Sequence, residues 1–270
     1  MNELIHGLFQ EHAHRVPDQS VDLVLTSPPY GNQRKALYGG IAEAHYPEWT
    51  VEWMRLVKRV LRPTGSVAIN VRPHVINGQI SDYMLHTRLA LRDDGWRECD
   101  EWIWHKPDAP PIGHPYRPRR NWESIHWFSL TPQPYCDPRA NGQTSQRVGF
   151  YTRKGLGQQF HSNGEHVTGI ARVSDVILTG IYEIDKSEWN THPAQYPVPL
   201  AEQIIMILCP RDGLVLDPFI GSGTTAVAAL RSQRHYVGFE KELEYVQIAE
   251  RRVSECERQQ PNPAVFWFGE

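Results

Sequence analysis

Cysteine is scarce in this sequence. Four occur in 270 residues (Cys99, Cys136, Cys209 and Cys256), and none falls in a CxxC spacing. Neither a disulfide framework nor a zinc site is indicated, and a reducing interior fits. Long apolar runs are missing too, and nothing approaches the roughly 20 residues that a membrane span needs. Met1-Asn2-Glu3 lacks a positive n-region, so no signal peptide is expected and the setting is cytoplasmic. A global excess of positive charge is also lacking: 28 Lys and Arg face 31 Asp and Glu, for a net charge of −3. Any contact with nucleic acid therefore rests on a local patch. The thirteen histidines include no HxxxH pair, so no metal is expected, and hydrogen-bonding or surface roles are favoured. Internal repeats and low-complexity tracts are absent. What remains is an ordinary globular composition, 40% hydrophobic and 22% charged.

Along the chain, apolar runs alternate with helical patterns. Leu4-Ile5 reads as a short strand and Val21–Thr26 as a firm one. Trp49–Leu61 has a helical period, which Arg62-Pro63-Thr64-Gly65 stops before a strand at Ser66–Val71. Asp82–Leu91 reads as a helix, and Trp102–Trp104 and Ser124–Leu130 as strands. From about 131 to 191 periodicity weakens, which suggests an insert of loops and short strands. Regularity returns with helices at Leu200–Leu208, Thr224–Arg231 and Leu243–Arg258, and strands at Leu214–Leu216 and His235–Phe239; Pro261 onward is a tail. This rhythm implies a mostly parallel α/β sheet. Between His105 and Arg172 nine Lys and Arg stand against four Asp and Glu, interleaved with aromatic residues such as Tyr116, Trp122 and Phe150. Such a segment fits a nucleic-acid reader, and it also fits a solvated basic face. Trp49, Trp53, Trp96 and Trp102 are read as core.

Two stretches carry chemistry. Thr26-Ser27-Pro28-Pro29-Tyr30 follows the Val21–Thr26 strand, and two prolines cannot continue a central strand because neither has an N–H for the ladder. The chain must turn at the carboxyl end of a strand, where open α/β sheets bind ligands. Carbonyl acceptors beside the prolines suit a planar amino group, with the Tyr30 ring stacked on its plane. Alone, Pro-Pro-Tyr also fits a plain turn. The second stretch, Asp217-Pro218-Phe219-Ile220-Gly221-Ser222-Gly223-Thr224-Thr225, lies between a strand and a helix. Its glycines permit close backbone approach, and its threonines put hydroxyls and free N–H groups at a helix start that suits an anion. The lysine of a P-loop is absent. Glu240, at the end of the next strand, stands where a carboxylate accepts ribose hydroxyls. Together these describe a ligand that carries a nucleoside.

Three motifs and an insert, in order, resemble the circularly permuted β class of DNA amino-methyltransferases. They are Ser27-Pro28-Pro29-Tyr30 for (D/N/S)PPY, the variable insert, His192-Pro193-Ala194-Gln195-Tyr196-Pro197 for HPAxFP, and Asp217 to Thr225 for DPFxGSGTT. Val60–Ser66 and Trp104-His105-Lys106-Pro107 resemble two further segments of that family. One departure is Gly7-Leu8, where the family often has Gly-Asp near the cofactor adenine; the adenine contact is then expected from elsewhere, such as a backbone amide.

The resemblance implies a single Rossmann-like methyltransferase domain over 1–270, with a mostly parallel seven-stranded sheet and a target-recognition insert at 131–191. It implies methyl transfer from S-adenosyl-L-methionine (AdoMet) to the exocyclic amino nitrogen of a base flipped from double-stranded DNA. Ser27, Pro28, Pro29 and Tyr30 would be catalytic. Thr26, His192, Pro193, Ala194, Asp217, Pro218, Phe219, Gly221, Ser222, Gly223, Thr224, Thr225 and Glu240 would bind the cofactor. Arg34, Lys106, Arg117, Arg119, Arg120, Arg147, Arg153 and Lys154 are the candidate DNA contacts. Serine at the first motif position favours cytosine N4 over adenine N6. The alternatives are a non-catalytic DNA-binding protein that keeps the fold, and an RNA or protein amino-methyltransferase, against which the basic insert and the permuted order argue. A prokaryotic or phage source, a homodimer and a cognate restriction endonuclease are all compatible with the resemblance.

Overall fold

Strands with apolar residues on both faces need cover on both faces, and this chain supplies it with helices. The computed structural model describes residues 1–31, 40–110, 115–142, 171–181 and 196–259. Within them the elements run β1 (Asn2–His6), α1 (Phe9–His12), β2 (Val21–Thr26), α2 (Tyr46–Val60), β3 (Leu61–Val71), β4 (Val75–Ile76), β5 (Gln79–Ile80) and α3 (Tyr83–Asp93). They continue with β6 (Arg97–His105), β7 (Trp122–Ser129), β8 (Val176–Leu178), α4 (Val198–Leu208), β9 (Leu214–Asp217), α5 (Thr224–Arg231), β10 (His235–Glu240) and α6 (Leu243–Gln259). The main sheet has the order β1-β10-β9-β2-β3-β7-β6-β8. Pairs from β1 through β3 are parallel, β7 is antiparallel to both β3 and β6, and β8 is parallel to β6.

All six residues of β2 are buried. Val24 packs in one core with Trp53, Met54 and Val57 of α2 and Tyr83 and Leu91 of α3. Its neighbours Leu23 and Leu25 pack in the other, with Ile204, Ile205 and Leu208 of α4 and Ala226 and Ala228 of α5. Alternation along one strand thus feeds two opposite cores, giving three layers. Pro47 in the first turn of α2 loses no intrahelical bond, and Lys58 and Arg59 complement the dipole at its end. Trp53, Trp96 and Trp102 are core residues as expected, and Trp49 packs on the core from its margin. Among the described residues no helix is long and apolar enough to cross a membrane.

Three features differ from the sequence reading. The sheet has eight strands among the described residues, not seven, because Val176–Leu178 pairs with Ile103–His105 at the edge. Three residues are too few for a period to register. β3 begins at Leu61, not Ser66: Arg62, Pro63 and Thr64 form an exposed start, and the register against β2 shifts between Val21 and Leu23. A small hairpin, β4–β5, turns at Asn77-Gly78, both with positive φ (49° and 82°), the geometry of a tight primed turn.

The topology sets the site. β2, β3, β9 and β10 run parallel, so their carboxyl ends share one edge. β7 runs the other way, and its first residues reach the same edge: Val71 pairs with Ser124, and His105 with Trp122.

Candidate active site

Ser27-Pro28-Pro29-Tyr30 leaves β2 at that edge, with Pro28 buried and Ser27, Pro29 and Tyr30 half-buried. Around Tyr30 the structure assembles four polar side chains. The Tyr30 hydroxyl donates to Glu123 Oε2 at 2.9 Å, and Asn70 Nδ2 donates to the same oxygen at 2.9 Å. Lys106 Nζ donates to Glu123 Oε1 and lies 3.9 Å from the centroid of the Trp104 ring. Ser27 Oγ is 3.4 Å from the Tyr30 hydroxyl, a long bond that points its hydrogen toward Tyr30. The Ser27 lone pairs are then turned toward other donors.

Glu123 is only 8% exposed. Burial pushes its carboxyl up, but the Lys106 ammonium and the bonds from Lys106, Asn70 and Tyr30 outweigh that and hold it below the ordinary range. It therefore stays ionised. The Tyr30 phenol is held far above its ordinary value by burial and by the Glu123 charge, so it remains a donor. The turn is braced by a buried ion pair, and Tyr30 has its hydroxyl anchored and its ring partly packed on the core.

Neither Glu123 nor Asn70 stood out in the sequence. Each is a polar residue inside a buried strand, and such a residue needs a partner. That need was the available signal. Lys106, expected as a DNA contact, has its ammonium in this network, because a buried carboxylate takes the nearest cation.

The glycine loop leaves β9, the neighbour of β2, so Thr26 and Asp217 lie side by side and both are buried. Asp217 Oδ1 accepts the Phe219 N–H at 3.0 Å, and Oδ2 accepts the Thr225 hydroxyl and, at 3.4 Å, that of Tyr196. Burial lifts its carboxyl to about 6, against the pull of the Thr225, Phe219 and Tyr196 bonds. Arg252 of α6 donates to the Ser222 carbonyl (2.8 Å), the Ser222 hydroxyl (3.1 Å) and the Thr224 hydroxyl (3.2 Å). The Thr224 hydroxyl thus accepts from Arg252 and the Thr225 hydroxyl donates to Asp217, while the backbone N–H groups of the α5 start suit an anion. Gly223 also packs against α6. Its φ is 88°, and a Cβ there would stand 2.8 Å from Ala249 Cβ, so it serves the α5–α6 contact. Gly221, with φ 53°, donates its N–H to Glu240 Oε2 at 3.1 Å.

Glu240 ends β10 beside this loop. Its other oxygen accepts the Glu242 N–H at 2.9 Å, so each oxygen keeps acceptor capacity for a further donor. Gly7 donates its N–H to the Glu240 carbonyl at 2.8 Å, which sets Leu8, half exposed, next to this corner. Phe219 is half-buried, with its ring 5.4 Å from Trp49 and 5.5 Å from Trp53. A carboxylate with spare lone pairs, an apolar ring and a helix start at one strand edge fit a nucleoside that also bears a carboxylate. Pro218 and the buried Ser222 complete the loop.

Of the candidate DNA contacts, Arg119 is exposed and donates to the Ala109 carbonyl at 2.7 Å, while Arg117 and Arg120 are half-buried. Arg34, Arg147, Arg153, Lys154, His192, Pro193 and Ala194 lie outside the described residues.

The family model described as DNA methylase, of the N6/N4 methyltransferase type, matches residues 21–251. The type II methyltransferase M.BglII of Bacillus subtilis is 30% identical over 266 residues, covering 92% of this chain and 68% of that protein. M.PvuII of Proteus hauseri is 28% identical over 258 residues, covering 85% of this chain and 77% of that protein. The solved PvuII DNA methyltransferase, cytosine-N4-specific, superposes with a TM-score of 0.73 at 23% identity over 95% of this chain and 90% of its own. A DNA modification methylase from Thermus thermophilus, complexed with S-adenosyl-L-methionine, superposes at 0.58, 23% identical, over 95% and 96%.

Proposed function

The chain belongs to the N6/N4 DNA methylase family, and we propose that it methylates an exocyclic amino group of a base extruded from double-stranded DNA, with cytosine N4 the favoured target. The observation that carries this is a juxtaposition. The Ser27–Tyr30 turn and the Asp217–Thr225 loop leave neighbouring parallel strands at the same edge. AdoMet, which this loop would hold, supplies a methyl group on a positively charged sulfur.

An exocyclic amino nitrogen is a weak nucleophile, because its lone pair is delocalised into the ring. The residues of the turn answer that. The Pro28 carbonyl and Ser27 Oγ accept the two amino hydrogens and draw the nitrogen toward a tetrahedral shape. Ser27 is fit to accept because its own hydrogen is directed to Tyr30. Tyr30 offers its ring to the base while Glu123 fixes its hydroxyl. Glu240 and the loop amides orient the cofactor, so that most of the acceleration comes from alignment and from acceptors set in advance. The Ser27 hydroxyl in place of an acidic residue supports cytosine N4, as does the N4 specificity of the PvuII enzyme. Residues 131–191 are the proposed target-recognition region, and a bacterial or phage cytoplasm is the setting this reading implies.

The test is incubation of unmodified DNA with the protein and AdoMet, followed by mass analysis of the nucleosides. N4-methylcytosine supports the reading, N6-methyladenine corrects the base, and absence of any methylated nucleoside under conditions that saturate AdoMet sinks it.

A further inference from the structure

The β4–β5 hairpin has no part in the chemistry above, yet it stands over the same edge. Three residues separate it from the end of β3, beside the catalytic turn. Two residues per strand cannot hold a ribbon together in water, so its neck must be fixed from outside. Glu43 does this: it pairs with His74 Nε2 at 2.8 Å and accepts the Ser81 hydroxyl at 2.7 Å, one residue from either end of the ribbon. The Glu43 Cγ also stands 3.1 Å from where a Cβ on Gly31 would be, which locks the neck against the residue after Tyr30. On the other side Arg120 donates to the Pro73 carbonyl at 2.7 Å, and Arg72 to the Arg120 carbonyl at 3.1 Å.

The anchored ribbon presents an unusual surface. Ile76 is 43% exposed and Ile80 59% exposed. Ile80 lies opposite Val75, and Ile76 opposite Gln79, so the two isoleucines point to opposite faces. A thin ribbon that is apolar on both faces matches what lies above and below a gap in a base stack. The charge beside it points to the same occupant. Arg72 reaches the Arg120 carbonyl, and burial with the charges of Arg72 and Arg117 holds Arg120 below its ordinary value although Glu123 pulls the other way, so a backbone phosphate suits this place.

We propose that the β4–β5 hairpin is a wedge that enters the DNA duplex beside the target and occupies the space left by the extruded base. The inference rests on the reading of this protein as a methyltransferase acting on a flipped base. Apolar side chains between base steps lower the cost of unstacking, and a base already unpaired needs less of that help. The sequence methylated by the wild type is read from treated plasmid DNA. It is then built into two duplexes, one fully paired and one with the target opposite an abasic sugar.

Ile76→Ser with Ile80→Ser should lower single-turnover methylation of the paired duplex by about tenfold or more, but that of the abasic duplex by less than about threefold. AdoMet affinity, which does not pass through the hairpin, should stay at the wild-type value and shows that the variant is folded. Ile76→Met with Ile80→Met, which keeps the wedge apolar, should retain the paired rate within about twofold. Equal loss on the two duplexes, or no loss on the paired one, overturns the wedge. A wild type that methylates no DNA would instead remove the functional reading beneath it.

Discussion

Removing the Lys106 charge should destabilise the protein in a way that acid repairs. In the wild type Glu123 is buried and ionised, with Lys106 against one oxygen and Tyr30 and Asn70 each 2.9 Å from the other. Lys106→Met keeps the length of the stem and takes away the ammonium. A buried ion that loses its partner costs ~3–5 kcal/mol, which is a large part of the stability of a domain. The pH dependence then reverses. In the wild type the Glu123 carboxyl is held below its ordinary value, so its contribution is present above the unfolded value and is lost as pH falls through the folded one. In the variant only the Asn70 and Tyr30 bonds oppose burial, so that carboxyl rises, and the deficit is largest at neutral pH and shrinks as acid neutralises the group. Glu123→Gln alone strands Lys106 and should cost a similar amount. The double variant should cost less than the sum of the two, because neither charge is then left alone. Urea unfolding of all four proteins at several pH values measures this. Additive losses, or a Lys106→Met deficit that is flat with pH, would refute the buried pair as the brace of the Ser27–Tyr30 turn.

Other expectations follow from particular contacts. Glu240→Ala should weaken AdoMet binding by about 1–3 kcal/mol in calorimetry, since it removes an acceptor at the end of β10. Gly223→Val should lower the melting temperature sharply, because a Cβ meets Ala249 at 2.8 Å and φ is positive; an unchanged melting temperature contradicts the packing role. Neutralising Arg117, Arg119 and Arg120 should make the dependence of DNA affinity on salt shallower, by up to roughly 3 in the log–log slope. An identical slope would put the cluster off the DNA path. Burial holds the His126 imidazole at about 4, so the native state binds fewer protons than the unfolded chain, and stability is lost as pH falls from about 6.5 toward that value. Proton titration of the His126 ring by NMR checks this, and a midpoint at the ordinary value contradicts it.

Much of the fold was legible because the strands differ in kind from the helices. Val21–Thr26 is wholly apolar apart from Asp22 and its last residue, and the prolines that follow end it at one possible place. Tyr46–Val60 carries a helical stripe with a proline at its start and basic residues at its end. The edge strand Val176–Leu178 was hidden because three residues carry no period, and the hairpin at 75–80 because two per strand carry still less. For the site, sequence pointed to both loops but not to the contacts that their side chains make within the protein. The bonds of the Thr224 and Thr225 hydroxyls to Arg252 and Asp217 were not legible, because they join residues far apart in the chain or across the loop. The Lys106–Glu123 pair was hidden because a cation in sequence does not reveal a buried carboxylate 17 residues away in the chain. Glu123 and Asn70 could be reached only through the pairing of β3 with β7, which local pattern does not encode.

The central claim is that the Ser27–Tyr30 turn acts on the base and not on the cofactor. Single-turnover methylation by Ser27→Ala, Tyr30→Ala and Tyr30→Phe, paired with AdoMet affinity for each, tests it most directly. Ser27→Ala should slow transfer while AdoMet binds as in the wild type, because the lost acceptor matters most in the transition state. Tyr30→Ala should lose a stack worth about 1–3 kcal/mol, and Tyr30→Phe should retain most of it. Transfer at the wild-type rate by both alanine variants would mean that the turn is structural, and the catalytic assignment would fall.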